Sequence, residues 1–399
     1  MESETEYVVL RDLQRNRLVE PFSYGTRSSD WREDFGVRPP EPRVDTERTD
    51  IRGRNELLRD PEVVAVTAAM PTRLIAPSDS NAENDEGDAW GIAAVGATDS
   101  RYCGDGVQVA VLDTGIDPNH AAFKGINITP EDFTGSGGDG DENGHGTHCC
   151  GTIFGRDVGD GRIGIAKGVN DVLIGKVLDD VGAGSSEMAF RGLQWAAEQG
   201  AKVISMSLGF DFPGMVRDRV AQGWPVDLAT SAALEAYRGN LRMFDALMAM
   251  IRAWEAFRPG CVVVAAAGNE SKRQIDPSYQ VAASLPSAAE GVLSVGALAR
   301  TGQGYALAPF SNSFPRLCGP GVAIKSACRG GGLHTMSGTS MACPHVAGVA
   351  ALWWEASRKA GLPVTAPTVV ARMLSACRTE MLVPGLDDSD RGVGMVTAP

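Results

Sequence analysis

The chain has 399 residues, 43% hydrophobic and 22% charged, with a formal charge of −13. That acidic balance argues against a nucleic-acid or anionic-membrane surface, and no apolar run approaches the roughly 20 residues of a bilayer span. Eight irregularly spaced cysteines without a CxxC pair argue against a disulfide scaffold and against a structural zinc site.

The chain begins Met-Glu-Ser-Glu-Thr-Glu-Tyr, with no basic stretch ahead of an apolar core. No secretory signal is legible there. The expectation is a cytoplasmic protein with mostly buried free thiols, or a secreted one if a leader has been removed. Residues 1–78 differ in composition from the rest of the chain. Tyr7 to Leu10 reads as a short strand, Asn55 to Arg59 as helical, and Glu62 to Thr67 as an alternating strand. Pro21 to Asp50 is polar with little periodicity. Residues 76 to 88 are acidic, small and free of large apolar side chains, which predicts a linker.

From Trp90 onward strands and helices alternate. Val107 to Leu112 is a continuous apolar run, as in a strand buried on both faces. Gly146 to Phe154 reads as a helix, Asp171 to Val177 as a strand, Ser186 to Gln199 as an amphipathic helix and Ala201 to Ser207 as a strand. Residues 209–259 read as mostly helical, with a break near Gly239-Asn240. Cys261 to Ala267 and Gly291 to Gly296 read as strands. A helix over Ala342 to Trp354 and another over Thr368 to Ala376 complete the pattern. Such alternation predicts an α/β fold of three layers, a mostly parallel sheet with helices on both faces, plus a small α+β N-terminal domain. Ligands then bind beyond the carboxyl ends of the strands, where Asp113 and Asn269 lie.

Four residues in this frame suggest chemistry. Ser340 follows Ser337-Gly-Thr at a turn into a helix. It reads equally as an N-cap or as a nucleophile at the positive end of the helix dipole. Pro344 fits the first helical turn, where amides lack intrahelical acceptors. Asp113 closes a buried strand and needs a partner, or serves as a cap. His145 sits between two glycines in Asn-Gly-His-Gly-Thr-His, so its imidazole is accessible and its backbone can approach another element. His145 and His148 also have a metal spacing, but without a third ligand. Asn269 is either a turn residue or an amide aimed into a cleft as an oxyanion donor.

Asp, then His, then Asn, then Ser is one of the chain orders known for acyl-transfer triads. Val111 to Asp117, Asn143 to Cys149, Ala265 to Glu270 and Ser337 to Gly348 together resemble the subtilisin-like serine proteases. Cys149 and Val177 to Asp180 lean toward the proteinase K branch. The resemblance covers about residues 90 to 398.

The resemblance implies that Ser340 is the nucleophile, His145 the general base and acid, and Asp113 the group that orients the imidazole. The Asn269 side chain and the Ser340 amide would form the oxyanion hole. Gly182, Ala183 and Gly184 would pair with the substrate backbone. Ser207, Leu208 and Gly209, with Ala266, Ala267 and Gly268, would wall the primary specificity pocket. Leu285-Pro286 matches a position that is usually cis. Residues 1–78 resemble an inhibitory propeptide, so that the linker threads through the active site and residues 79–89 carry the processing site. The peptidase domain would span 90–399, with an enlarged helical insertion at 210–259 beside the specificity pocket.

The implied partners are a protein or peptide substrate and the chain's own N-terminal segment as an intramolecular inhibitor, with no nucleic acid and no membrane. No cofactor is required. Calcium is possible, but Ala122 and Val158 replace the usual ligands, so that site looks lost. Asp139, Asp141 and Glu142 could bind a cation, but read more readily as a solvated acidic loop. The rival readings are a dedicated processing protease for one partner protein, and a catalytically silent peptide-binding module blocked by its N-terminal domain.

Overall fold

The computed structural model describes residues 4–15, 39–75, 89–159, 161–361 and 364–399. The N-terminal unit contains strand β1 (Thr5–Asp12), strand β2 (Pro42–Thr49), helix α1 (Ile51–Leu57) and strand β3 (Val63–Ala68). The three strands form an antiparallel sheet in the order β2-β1-β3. Strand β4 (Pro71–Leu74) then leaves this unit and enters the larger body. The predicted helix at 55–59 lies four residues earlier, because Asp50 caps it by accepting from the amides of Arg52 and Gly53. The predicted linker, 76–88, lies outside the described residues.

The larger body opens with helix α2 (Trp90–Ala94). It continues through β5 (Val109–Asp113), β6 (Asn127–Asp132), α3 (His145–Phe154), β7 (Asp171–Lys176), β8 (Ala183–Ser185), α4 (Ser186–Glu198), β9 (Val203–Met206) and β10 (Leu208–Phe210). Helices α5 (Phe212–Ala221) and α6 (Val226–Ala253) follow, then β11 (Val262–Ala266), β12 (Val292–Thr301), β13 (Gly304–Leu307), β14 (Leu317–Pro320), β15 (Ile324–Ala327), β16 (Leu333–Met336), α7 (Thr339–Lys359) and α8 (Ala366–Ser375). The central sheet runs β12-β11-β9-β5-β7-β6 with all these neighbours parallel; β13 and β14 both pair with β12.

Alternation along β5 explains the three layers. Val109 and Val111 face a core shared with α3 and α7, whereas Ala110 and Leu112 face one shared with α4 and α6. A strand clamped on both sides must be apolar throughout, which is why its polar residue, Asp113, stands at the end. The Leu285–Pro286 peptide is cis, as the resemblance implied. All eight cysteines are free thiols, four of them fully buried. Among the described residues no helix is long and apolar enough to cross a membrane.

The insertion departs from its predicted shape. Helix α6 runs unbroken through Gly239-Asn240, and the break falls instead between α5 and α6, at Gly223 to Pro225. Gly239 serves packing, since a Cβ there would stand 2.2 Å from the Thr67 hydroxyl of β3. The Asn240 side chain donates to the Ala68 carbonyl at 2.9 Å. The insertion is thus the surface on which the N-terminal sheet sits. Helix α4 completes the seat: Gln194 accepts from the Val44 amide and donates to the Pro42 carbonyl of β2.

Candidate active site

Asp113 ends β5 and His145 begins α3, and the structure brings the two together. His145 Nδ1 donates to Asp113 Oδ1 at 2.8 Å, and the Thr114 amide donates to the same oxygen at 2.8 Å. Both side chains are about 1% exposed. The approach requires Gly146, because a Cβ there would stand 2.1 Å from the Gly115 carbonyl. The sequence expectation that glycine lets this backbone pass close to another element is met by that contact.

The loop before α3 is held by a residue whose sequence context hides its role. Asp141 reads as part of a solvated acidic loop, yet it is 4% exposed. It accepts from Thr114 Oγ1, from the amides of Asn143, Gly144 and Thr147, and from Thr147 Oγ1. Burial alone would raise this carboxyl; the hydrogen bonds, led by Thr147, outweigh it and hold the group below the usual carboxylate range. The threonines after Asp113 and at 147 were the signal, since both supply hydroxyl donors to one buried acid. Lys176, also buried, ties the carbonyls of Thr114 and Gly140 to Asp180.

His148 is fully buried. Its Nε2 faces the carbonyls of Ile324 and His334, and burial, then the neighbouring His145, pushes its pKa down to about 3. It is therefore neutral at ordinary pH. Cys149 lies nearer the centre, with its sulfur 3.8 Å from His145 Nδ1.

Ser340 is the second residue of α7, after the N-cap Gly338, and its side chain makes no cap. The cap alternative is thereby overturned. Pro344 also lies deeper than the first turn, inside the helix. A proline there removes the amide that would bond the Ser340 carbonyl. That carbonyl accepts instead from the Ser207 hydroxyl at 3.1 Å and the Cys149 thiol at 3.5 Å. The interruption ties the start of α7 to both β9–β10 and α3.

The Ser340 hydroxyl donates to the carbonyl of Ile75 at 3.3 Å, while His145 Nε2 is buried and has no hydrogen-bond partner among the described residues. Ile75 directly follows β4, and β4 lies as the middle strand between β8 and β10, antiparallel to both. Arg73 is opposite Ala183 on one side and Gly209 on the other, and Thr72 is opposite Gly184. The Leu74 amide donates to the Gly182 carbonyl at 2.7 Å. Gly184 admits the strand: a Cβ there would stand 2.8 Å from the Thr72 hydroxyl. The Ile75 side chain is buried and lies against Gly209. The described part of the chain in this cleft is therefore the end of the N-terminal unit, upstream of the predicted linker.

Asn269 follows Ala266, Ala267 and Gly268 beyond the end of β11. Its Oδ1 accepts from the Thr339 amide at 2.9 Å and the Thr339 hydroxyl at 2.8 Å, which fixes the amide plane. Its Nδ2 therefore lies on the Gly338 side, where a Cβ on Gly338 would come within 2.9 Å of it. Gly268 donates to the Thr339 hydroxyl, and Asn312 donates to the Ala267 carbonyl, so this wall is braced from behind. The residues the sequence singled out thus come from six elements to the carboxyl edge of one sheet. What it missed is Asp141, and the seating of residues 71–75 among them.

Residues 104–394 match the model of the Subtilase family. Alkaline elastase YaB of Bacillus sp. is 35% identical over 301 residues, which are 73% of this chain and 67% of that protein. A cuticle-degrading serine protease of Arthrobotrys oligospora is 34% identical over 278 residues, 67% of this chain and 56% of its own length. Subtilisin-like protease 1 of Arthroderma gypseum is 31% identical over 313 residues, 74% of this chain and 54% of that protein. The chain therefore spans little more than half the length of these fungal relatives. The cytoplasmic expectation finds no support among these names.

Proposed function

We propose, from the premise that the chain belongs to the subtilase family, that it is a serine endopeptidase acting through an acyl-enzyme. The observation that carries this reading is the Ser340 hydroxyl directed at a peptide carbonyl, that of Ile75, in a strand held as a substrate would be. Ser340 Oγ attacks the carbonyl carbon and passes its proton to His145 Nε2. Asp113, on Nδ1, fixes the tautomer and stabilises the imidazolium. The Asn269 side-chain amide and the Ser340 amide hold the oxyanion, where each donor is worth about 3–4 kcal/mol. His145 returns the proton to the departing amine, leaving an ester on Ser340. Water, deprotonated by His145, then releases the acid. No cofactor takes part in these steps.

The same geometry supports an intramolecular inhibitor. Residues up to Ile75 occupy the cleft by strand addition, and the first bond cut is Ile75–Ala76. The new carboxyl end stays seated until the N-terminal unit leaves. Near the expected calcium site, Arg156 donates to the carbonyls of Lys167 and Val169, and Arg162 to those of Ala97 and Ile165. Guanidinium groups thus gather the loop carbonyls there, which supports a chain that needs no calcium at this place.

Two measurements test the reading. A fluorophosphonate probe should label the processed protein at Ser340. A Ser340→Ala variant should lose both labelling and hydrolysis of a chromogenic peptide. Labelling without peptide hydrolysis, or hydrolysis that survives Ser340→Ala, would contradict it.

A further inference from the structure

We propose that the cleft selects substrates with a basic residue at the third position before the cut bond, through a carboxylate pair formed by Asp211 and Glu270. The proposal rests on the endopeptidase reading above, because it takes Ile75, Leu74 and Arg73 as the first, second and third residues of a substrate. Arg73 pairs its backbone with Ala183 and Gly209 and extends its side chain to acids on two separate elements. Its guanidinium lies 3.4 Å from Asp211 Oδ1 and 3.6 Å from Glu270 Oε1. Asp211 immediately follows β10, at the start of the insertion; Glu270 immediately follows Asn269.

Both acids are held in place without Arg73. Asp211 accepts from the Gly214 amide at 2.9 Å as the N-cap of α5. Glu270 Oε2 accepts from Asn312 Nδ2 at 2.7 Å. Asn312 is fully buried, and its Oδ1 accepts from the amides of Glu270 and Ser271. The acids are thus a preorganised feature of the cleft and not a response to the segment now lying there. Arg217 also approaches Asp211, at 3.7 Å, from a position 67% exposed. Two carboxylates facing one loose arginine leave a net negative charge when the N-terminal segment departs. An arginine or lysine in an incoming peptide restores the balance, and an acidic residue worsens it.

Arg73 is 42% exposed, so the pair acts in partly screened surroundings and the selectivity is moderate. The test uses the processed enzyme and chromogenic peptides Thr-Xaa-Leu-Ile with Xaa as Arg, Gln or Glu. The expected kcat/KM for Arg exceeds that for Gln by about threefold to tenfold, with Glu below Gln and the spread narrowing at high salt. In the Asp211→Asn, Glu270→Gln double variant the Arg-to-Gln ratio falls toward one. A ratio taken within one enzyme does not depend on the folded fraction. If the double variant fails to fold, Glu270→Gln alone must narrow the ratio. Equal rates for Arg and Gln, or a ratio unchanged by the substitutions, overturn the proposal while leaving the endopeptidase reading intact. Cleavage of none of the peptides overturns both.

Discussion

The peptidase body and the N-terminal unit hold their strands by different means. In the body, β5 is buried along its whole length between two cores, and the residues proposed for catalysis stand at the edge of a sheet clamped on both faces. The N-terminal sheet has one small core of its own, in which Tyr7, Val9, Val63 and Val66 are buried. Its other face, with Val8, Leu10 and Val44, is buried in the core supplied by α4 and α6. Between β3, α1 and α6 an open cleft of about 520 Å³ remains, lined by Tyr7, Arg54, Leu58, Glu235 and Arg242 among others. A unit that borrows half its core is stable while docked and weakened once detached. The body needs no such loan. The catalytic geometry should thus outlast loss of the unit, and the unit should not outlast loss of its seat.

The largest expected effect lies wholly in the body. Asp113→Asn keeps the shape of the residue but presents a donor where His145 Nδ1 needs an acceptor. It should lower kcat by about 10⁴ with little change in the melting curve. A collapse of folding instead would mean that the buried pair serves the core more than the chemistry. Next, Asn269→Ala should lower kcat by about 10²–10³ with KM nearly unchanged, measured on the same peptide. A rise in KM alone would make Asn269 a binding residue only.

Asp141→Asn should destabilise the body by about 2–4 kcal/mol, read as a lower denaturation midpoint. Acid should act in the same direction. The Asp141 carboxyl is held low in the fold, so its contribution is present above the ordinary carboxylate range and lost as pH falls through the lowered value. Burial holds His148 down at about pKa 3 and His345 at about 4. Each keeps the folded state from binding a proton that the unfolded chain accepts below about pH 6.5. Stability should therefore decline from about pH 6.5 downward, with the His345 share ending near pH 4, where that ring protonates in the fold, and the Asp141 share setting in below the ordinary carboxylate range. A midpoint flat from pH 7 to 4 would contradict this.

The smallest effect should fall on the docking. Asn240→Ala leaves the Ala68 carbonyl without its donor and should weaken the seat by about 1–2 kcal/mol. After processing, active enzyme should then appear about fivefold to thirtyfold sooner, with the melting point of the mature body nearly unchanged. An equal fall in the stability of both parts would erase the distinction between them.

Much of this body was legible because its signals are local. A run such as Val109 to Leu112 can only be a strand clamped on both sides, and Asp113 declares where it ends. What escaped depended on partners distant in sequence. β2, Pro42 to Thr49, reads as polar because alternate residues face water while Val44 faces α4 and α6. Gly239-Asn240 reads as a helix break because nothing local reveals that Thr67 and Ala68 lie against it. Pro344 fits a first turn until Ser207 and Cys149 are seen to take up the carbonyl it releases. β4 has four residues and starts with proline; its extended form is supplied by β8 and β10. The site showed the same division: Asp113, His145, Asn269 and Ser340 each carry a local motif, whereas Asp141, Arg73 and Asp211 acquire meaning only from their neighbours in space.

The most direct test is the intact mass of the purified protein during self-processing. A fragment ending at Ile75 and a body beginning at Ala76 should appear together, and Ser340→Ala should remain a single uncut chain. Cleavage at Ile75–Ala76 in the Ser340→Ala variant, or a wild-type chain that hydrolyses peptides while that bond stays whole, would contradict the assignment of Ser340 to the carbonyl it now faces.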